Sequence, residues 1–147
     1  MRWLPLKNSP LHAVAYVSEV RRPMSVAELD RLLVSASARN GQLSVTGALL
    51  YDGRRFFQYI EGAPANVRET YDRIKQSSRH IVVAEVYNGP ITERHFPDWQ
   101  MACRKVSSGS IVEISALRWD RTRLALAAAG RKPEAIQRLL AFWDGAD

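Results

Sequence analysis

Apolar and polar positions in the first part of the chain follow strand and helix periods in turn. Residues 11–18, LHAVAYVS, predict a strand, and the capping-box pair Ser25 and Glu28 predicts the start of a helix. Asn40-Gly41 predicts the C-terminal end of that helix. Between these signals, apolar residues recur at helical spacing: Leu29, Leu32, Leu33 and Ala36.

A β-hairpin and a second helix are predicted next. The stretches 45–51, VTGALLY, and 54–62, RRFFQYIEG, predict two strands joined by a tight turn at Asp52-Gly53. Pro64 suits the first turn of a helix. The inner face of that helix would carry Val67, Tyr71 and Ile74.

Two further strands complete the predicted sheet. Residues 81–87, IVVAEVY, predict a fourth strand that ends at the turn signal 88–90, NGP, and a weaker fifth strand covers roughly 98–105. The order βαββαββ is typical of an α+β sandwich with two helices on one face of a mixed sheet.

The Ser/Gly-rich stretch 107–110 predicts a boundary between a first domain, 11–106, and a helical extension, 107–147. Helices are expected over about 120–129 and over 133–143. The second of them carries an apolar stripe: Ile136, Leu139, Leu140 and Trp143. A helix pair this short needs apolar surface to cover, so we expect it to dock on the exposed sheet face or on another subunit.

Composition narrows the class of protein. The chain has 147 residues, of which 46% are apolar and 24% charged, as in a soluble globular domain. The single cysteine, Cys103, excludes an internal disulfide framework, and no signal peptide or membrane span is apparent, which favours the cytoplasm. The net charge of +6 is scattered, so the pattern does not favour direct nucleic-acid binding.

Strand parity places polar residues among apolar neighbours. Gln58 shares a strand face with Phe56 and Ile60, and Tyr16 and Ser18 share a face of the first strand. If these faces are the core, Gln58 must be hydrogen-bonded, because an unpartnered buried amide costs about 1–3 kcal/mol. Its partner could be the Tyr16 hydroxyl in an ordinary core pair, or the polar edge of a ligand.

Taken singly, several other residues favour ordinary structural roles. An Asn-Gly pair such as Asn40-Gly41 is commonly a left-handed helix cap. Arg79-His80 suits a surface turn, and most pairs like Trp99 and Met101 are plain core.

Two charged residues near predicted strand ends also have structural interpretations. Arg94 is expected to brace the loop before Phe96 by bonding backbone carbonyls. Glu61 is expected at a strand exit, close to the start of the next helix.

Several enzyme signatures are missing from the sequence. It contains no phosphate-binding glycine loop, no G-x-S-x-G elbow and no H-E-x-x-H motif. His12, His80 and His95 lie far apart, so neither a catalytic residue nor a metal site is predicted.

Taken together, five segments in this order and spacing resemble the BLUF family, the sensors of blue light using flavin. The segments are Tyr16-Val17-Ser18, Asn40 with Val45-Thr46-Gly47, 56–62 (FFQYIEG), Arg79-His80 and 94–101 (RHFPDWQM). The resemblance spans about residues 11–103 and implies a ferredoxin-like fold, in agreement with the βαββαββ order.

The resemblance implies a non-covalently bound flavin, FAD first, with FMN or riboflavin as alternatives. The residues implied around it are Tyr16, Ser18, Leu32, Asn40, Gln58, Ile74, Arg79 and His80. Leu32 and Ile74 would pack on the two ring faces, and Asn40 would bond the pyrimidine edge. Gln58 would lie between the flavin and Tyr16, the tyrosine that gives an electron to the excited flavin.

The resemblance also implies a tail site and a signal route. Arg79 and His80 would lie near the ribityl and phosphate end, where the family often has an acid at the position of Ser77. Trp99 and Met101 match residues whose exchange is linked to signalling. We expect a sensor this small to act on an unidentified protein effector or on its own oligomeric state. The expected assembly is a homo-oligomer, most simply a dimer.

The switch can be stated chemically, because a glutamine amide has a donor end and an acceptor end. Turning Gln58, or shifting it to its imidic tautomer, changes what it offers the flavin and Tyr16. Two rival functions are an acylphosphatase-type hydrolase, with Arg21, Arg22 and Asn40 as candidates, and a colourless metabolite-binding regulatory domain. The hydrolase leaves Gln58, Tyr16 and the Trp99/Met101 pair without a role, and a visible absorption spectrum separates all three functions.

Overall fold

The computed structural model describes residues 9–98, 102–117, 119 and 132–143. Within these ranges the strands are β1 Leu11–Val20, β2 Thr46–Tyr51, β3 Arg55–Gly62, β4 His80–Ile91 and β5 Ala102–Lys105. The helices are α1 Val26–Gln42, α2 Pro64–Lys75, α3 Ser108–Ala116 and α4 Glu134–Trp143.

The five strands form one mixed sheet in the order β4-β1-β3-β2-β5. β1 pairs antiparallel with both β3 and β4, and β2 pairs antiparallel with β3. β5 lies parallel to β2 at the far edge. This is the predicted α+β ferredoxin-like arrangement, which the structure confirms together with a helical extension after β5.

The first sheet face lies under α1 and α2. Two apolar clusters form there. One contains Val14, Tyr16 and Ile60 of the sheet with Val67 and Tyr71 of α2. The other contains Leu49, Tyr51 and Phe56 with partly buried residues of α1: Leu29, Leu32 and Leu33. The predicted inward face of β1 and β3 is therefore confirmed.

The second sheet face carries the largest apolar cluster and is covered by α3 and α4. Ile136 and Leu139 of the predicted stripe are fully buried there, as is Phe142, while Leu140 is only partly buried. The stripe is thus turned toward Phe142 relative to the prediction. The Trp143 side chain and the expected helix at 120–129 lie outside the described residues.

The end of α1 differs from the prediction. Helix α1 continues through Gly41 to Gln42, and the left-handed backbone falls on Ser44, with φ 52°. Asn40 is buried inside the last turn, and its carbonyl accepts a hydrogen bond from Val45 N at 2.8 Å. The interpretation of Asn40-Gly41 as a helix cap is therefore wrong, because tertiary burial of Asn40 overrides a local turn signal.

The strand ends also differ from the prediction. β4 runs through 88–90 to Ile91, because this segment stays paired with β1, with Pro90 opposite His12. Since β4 is an edge strand, Pro90 can be accommodated without removing an interior ladder bond. The described part of β5 is Ala102–Lys105, and Asp98, the first residue of the expected fifth strand, lies in a turn.

Helix α3 was not predicted. The Ser/Gly-rich stretch at 107–110 begins this helix, with the Ser107 side chain accepting a hydrogen bond from Ser110 N. Ile111 and Ile114, three residues apart, are its buried apolar residues. A serine cap followed by this spacing was the signal available in the sequence.

Candidate functional site

A cavity of about 630 Å³ lies between α1 and α2 above the first sheet face. Ligand-binding clefts are typically about 300–1,000 Å³ in volume, so the space suits a small organic molecule. Seven residues singled out in the sequence line it: Tyr16, Leu32, Asn40, Gln58, Ile74, Arg79 and His80. They come from two strands, two helices and the α2–β4 junction, which only the fold brings together.

A hydrogen bond from Tyr16 to Gln58 forms part of the cavity floor. The two residues are directly opposite each other on β1 and β3, and the Tyr16 hydroxyl donates to Gln58 Oε1. Burial, and to a smaller extent the neighbouring Tyr71, raises the pKa of Tyr16 well above its ordinary value. Tyr16 is therefore a neutral phenol and a stable hydrogen-bond donor at physiological pH.

The cavity walls are apolar, and one end carries an amide. Leu32 of α1 and Ile74 of α2 come from the two helices that flank the space. Asn40, 3% exposed, lines it from the last turn of α1. A flat ring could therefore contact aliphatic side chains from the helices and polar groups at its edge.

The remaining lining is strongly basic. Arg31, Arg39, Arg73 and Arg79 contribute to it, and the described lining contains neither aspartate nor glutamate. Burial, and secondarily Arg21, lowers the pKa of His80, which keeps its ring neutral near pH 7. An anionic group would be favoured in this cavity.

Comparison with known proteins decides the family. The family model described as sensors of blue-light using FAD matches residues 11–102. This chain belongs to the BLUF family. Its sequence resemblance is thereby confirmed, and the match decides against the acylphosphatase-type alternative.

Relatives and solved structures agree with the family match. The photoactivated adenylate cyclase subunit beta of Euglena longa is 39% identical over 95 residues, covering 64% of this chain and 11% of that protein. The dark-state structure of BlrB, a BLUF protein, has 32% identity and a TM-score of 0.67, covering 91% of this chain and 98% of that chain. The BlrP1 structure from Klebsiella pneumoniae with FMN and cyclic diGMP has 26% identity and a TM-score of 0.64, covering 92% and 35%.

The curated relatives are much longer than this chain. The matched region spans about a tenth of the Euglena cyclase subunit and 19% of the blue light- and temperature-regulated antirepressor BluF of Escherichia coli. The BLUF domain is thus the shared part.

The cavity residues fit the flavin that BLUF domains bind. A flavin combines a flat aromatic ring, a polar pyrimidine edge and, in FMN and FAD, a phosphate-bearing tail. The aliphatic side chains, the two amides Asn40 and Gln58, and the basic side chains of the lining match these three parts. Within the described residues, His80 Nδ1 is buried without a hydrogen-bond partner, which suits a site completed by a polar ligand.

Three site residues of the sequence prediction are not among the cavity lining. Ser18 is buried beyond Tyr16 on the same strand face, and its Oγ has no hydrogen-bond partner among the described residues. Trp99 and Met101 lie outside the described residues.

The sequence interpretation missed a buried carboxylate, Glu61. Glu61 is the penultimate residue of β3, two residues before the last position preceding α2, as the expected strand exit requires, but it is fully buried, which was not predicted. Its oxygens accept hydrogen bonds from His95 N at 2.8 Å and Phe96 N at 2.7 Å, and from two hydroxyls, those of Thr46 and Tyr59. Burial raises the pKa of Glu61, opposed by these hydrogen bonds.

Arg94 completes this group of contacts. Its Nη1 donates to Thr46 Oγ1 at 2.9 Å and to the Glu61 carbonyl at 3.4 Å. The expectation that Arg94 braces the loop before Phe96 is therefore confirmed for one carbonyl. These hydrogen bonds attach residues 94–96 to β2 and β3, and we call this segment the anchored loop.

Two negative observations apply to the described ranges only. Among those residues, no group of three or more His, Cys, Asp and Glu side chains is placed to hold a metal ion. No helix in the same ranges has the length and apolar character needed to cross a bilayer.

Proposed function

We propose that this BLUF protein generates its light signal at the hydrogen bond between Tyr16 and Gln58. The observation that carries the proposal is the position of that bond on the floor of a cavity whose walls suit a flavin. When bound, the flavin supplies blue-light absorption and an electron acceptor in its excited state. The protein supplies the groups that convert this event into a lasting change of bonding.

Gln58 is the element with two states. In the structure its Oε1 accepts from Tyr16. If the amide turned or became the imidic tautomer, a donor would face Tyr16 and the phenol oxygen would accept. Transient loss and return of an electron and a proton at Tyr16 would release the amide from its starting arrangement. Such a local change of bonding can bias a two-state element elsewhere in the protein.

The remaining cavity residues hold the cofactor in this proposal. Leu32 and Ile74 pack on the ring, and Asn40 bonds its pyrimidine edge. Arg79 and His80 face the ribityl and phosphate end, with Ser77 beside them in the cavity lining. Ser18 supports Tyr16 from the same strand face. FAD is the expected cofactor, and FMN and riboflavin fit the same ring site.

The absorption spectrum tests this function. The purified protein should be yellow and should release intact flavin on heating or acidification, because no covalent link is proposed. Blue light should shift the flavin band slightly to the red, and the shift should decay in darkness. A protein that remains colourless after incubation with FAD, FMN and riboflavin would refute the proposal.

We further propose that the output is a protein contact rather than a reaction catalysed by this chain. The match covers 98% of the BlrB chain, which supports a sensor role for a protein of this size. We propose that it acts in the cytoplasm on a separate protein effector. Trp99 and Met101 are the proposed relay residues, and a homodimer is the expected assembly. Light scattering of the dark and illuminated protein tests the assembly, and a monomer at all concentrations would contradict it.

A further inference from the structure

The anchored loop also contacts Lys132, which lies just before α4. His95 is 4% exposed, and its Nδ1 lies 3.3 Å from the Nζ of Lys132. Burial, and secondarily Lys132, lowers the pKa of His95 to about 4, so the ring is neutral at pH 7. The Lys132 ammonium can therefore donate a hydrogen bond to the imidazole.

Lys132 is coupled to the first turn of α4. Its carbonyl accepts a hydrogen bond from Gln137 Nε2 at 2.6 Å, and the Pro133 carbonyl accepts one from Gln137 N at 2.9 Å. A displacement of Lys132 would thus move the first turn of α4 through these hydrogen bonds. The buried residues of that helix rest on the second sheet face.

One strand connects this contact to the cavity. β3 carries Gln58 toward the cavity and, three residues later, Glu61 toward the anchored loop. The Glu61 carboxylate accepts hydrogen bonds from the backbone N–H groups of both His95 and Phe96. A shift of β3 would therefore reach the anchored loop through rigid, fully buried hydrogen bonds.

We propose that Glu61, His95 and Lys132 form a route by which a change at Gln58 alters the docking of α4. Glu61 and Lys132 are positioning residues in this route, since neither lines the cavity. The inference rests on the proposed light switch but does not need Trp99 or Met101. In this route, the contact between His95 of the anchored loop and Lys132, just before α4, transmits the output.

The His95 side chain is suited to release. When Nδ1 accepts from Lys132, Nε2 carries the proton, and Nε2 is buried without a hydrogen-bond partner in the described part of the chain. An unsatisfied buried N–H is destabilising. The imidazole is consequently held by one side-chain contact, which a small movement of the loop can break.

Hydrogen exchange of the flavin-loaded full chain, in darkness and under blue light, tests the route. The unsubstituted protein should change exchange in the anchored loop and in α4. Lys132→Met removes the ammonium but keeps the aliphatic stem, so it should retain the red shift and the loop response and lose the α4 response. Glu61→Gln should lose both responses and retain the red shift.

Arg138→Met is the matched control. Arg138 is a cation within α4, and it pairs with Glu113 of α3 at 2.7 Å. This variant should keep the light response of α4. An undiminished α4 response in Lys132→Met, or a red shift without any α4 response in the unsubstituted protein, would overturn the route and leave the switch intact. Absence of the red shift itself would overturn the proposed function and the route with it.

Discussion

The two faces of the sheet are built from alternate residues of the same strands, yet they differ in kind. The first face, under α1 and α2, buries polar groups of Tyr16, Ser18 and Gln58 and borders the 630 Å³ cavity. The second is largely apolar, and the fully buried Phe57 lies there under α3 and α4. The proposed light switch and the largest apolar cluster thus lie on opposite sides of one sheet, and β3 joins the two sides through Gln58 and Glu61.

This division follows from the period of a strand. Gln58 and its neighbour Phe57 point to opposite faces because side chains alternate. A change of bonding at Gln58 therefore occurs in a strand whose other side is fixed by close packing. The packed face holds the strand in place through its apolar contacts, and the polar face carries an amide that can bond in two ways.

The largest expected effect is the loss of the light response when the polar face is altered. Gln58→Leu and Tyr16→Phe should each bind flavin and show no red shift, because each removes one end of the hydrogen bond. The free energy of unfolding should fall by about 1–3 kcal/mol in each variant, since each substitution leaves the other partner buried without this hydrogen bond. Difference spectra and urea titrations provide the two measurements. A reversible shift in Gln58→Leu would contradict the assigned role.

Truncating a side chain on the packed face should lower stability and leave the light response unchanged. Phe57→Ala removes a fully buried ring that contacts Trp119 at 5.4 Å between centroids. It should lower the free energy of unfolding by about 3–5 kcal/mol. The folded fraction should still show the red shift.

Val34→Ala is the control for this truncation, because Val34 is 71% exposed on α1. Its effect should stay within about 0.5 kcal/mol. If Phe57→Ala and Val34→Ala lowered the free energy of unfolding equally, the second sheet face would not be a special source of stability.

A smaller effect concerns pH and His95. The folded pKa of about 4 lies below the ordinary value of 6.5, so the unfolded chain binds more protons between these values. Stability from this group is full above pH 6.5 and decreases as the pH falls toward 4, by about 2–3 kcal/mol in total. His95→Gln should lack this part of the dependence.

Comparing the two proteins isolates His95, because Glu61 is present in both. Its raised pKa acts in the opposite direction, favouring the folded state as the pH falls. Urea unfolding at a series of pH values from 7 to 4 measures the difference. Parallel curves for the two proteins would show that His95 does not titrate on unfolding.

The smallest effect is expected at Ser18. Its buried Oγ lacks a partner among the described residues, so Ser18→Ala should change the stability of the flavin-free protein by no more than about 1 kcal/mol, in the stabilising direction. Flavin titration then tests whether the hydroxyl supports the site. Marked destabilisation of the flavin-free protein would show an additional partner.

Alternation was sufficient to predict that Gln58 and Tyr16 point inward, because strand parity is a local property. It left the partner of Gln58 open between the Tyr16 hydroxyl and a ligand, and the pairing of β1 with β3 supplies the answer. The burial of Glu61 escaped prediction because its principal partners are backbone N–H groups 34 and 35 residues away, which no side-chain pattern reports. Asn40 was misinterpreted for a related reason. Its Asn-Gly pair is a local turn signal, whereas its burial depends on tertiary contacts.

The order of strands in the sheet has a consequence for how the chain folds. β1 pairs only with β3 and β4, so the strand made first has no neighbour until β3 has been synthesised. Tyr16 and Gln58 are 42 positions apart, and the cavity also needs Arg79 and His80. Such non-local pairing slows folding. Cofactor capture must therefore follow, rather than guide, the assembly of the central strands, and the onset of flavin absorbance during refolding would report completion of the sheet.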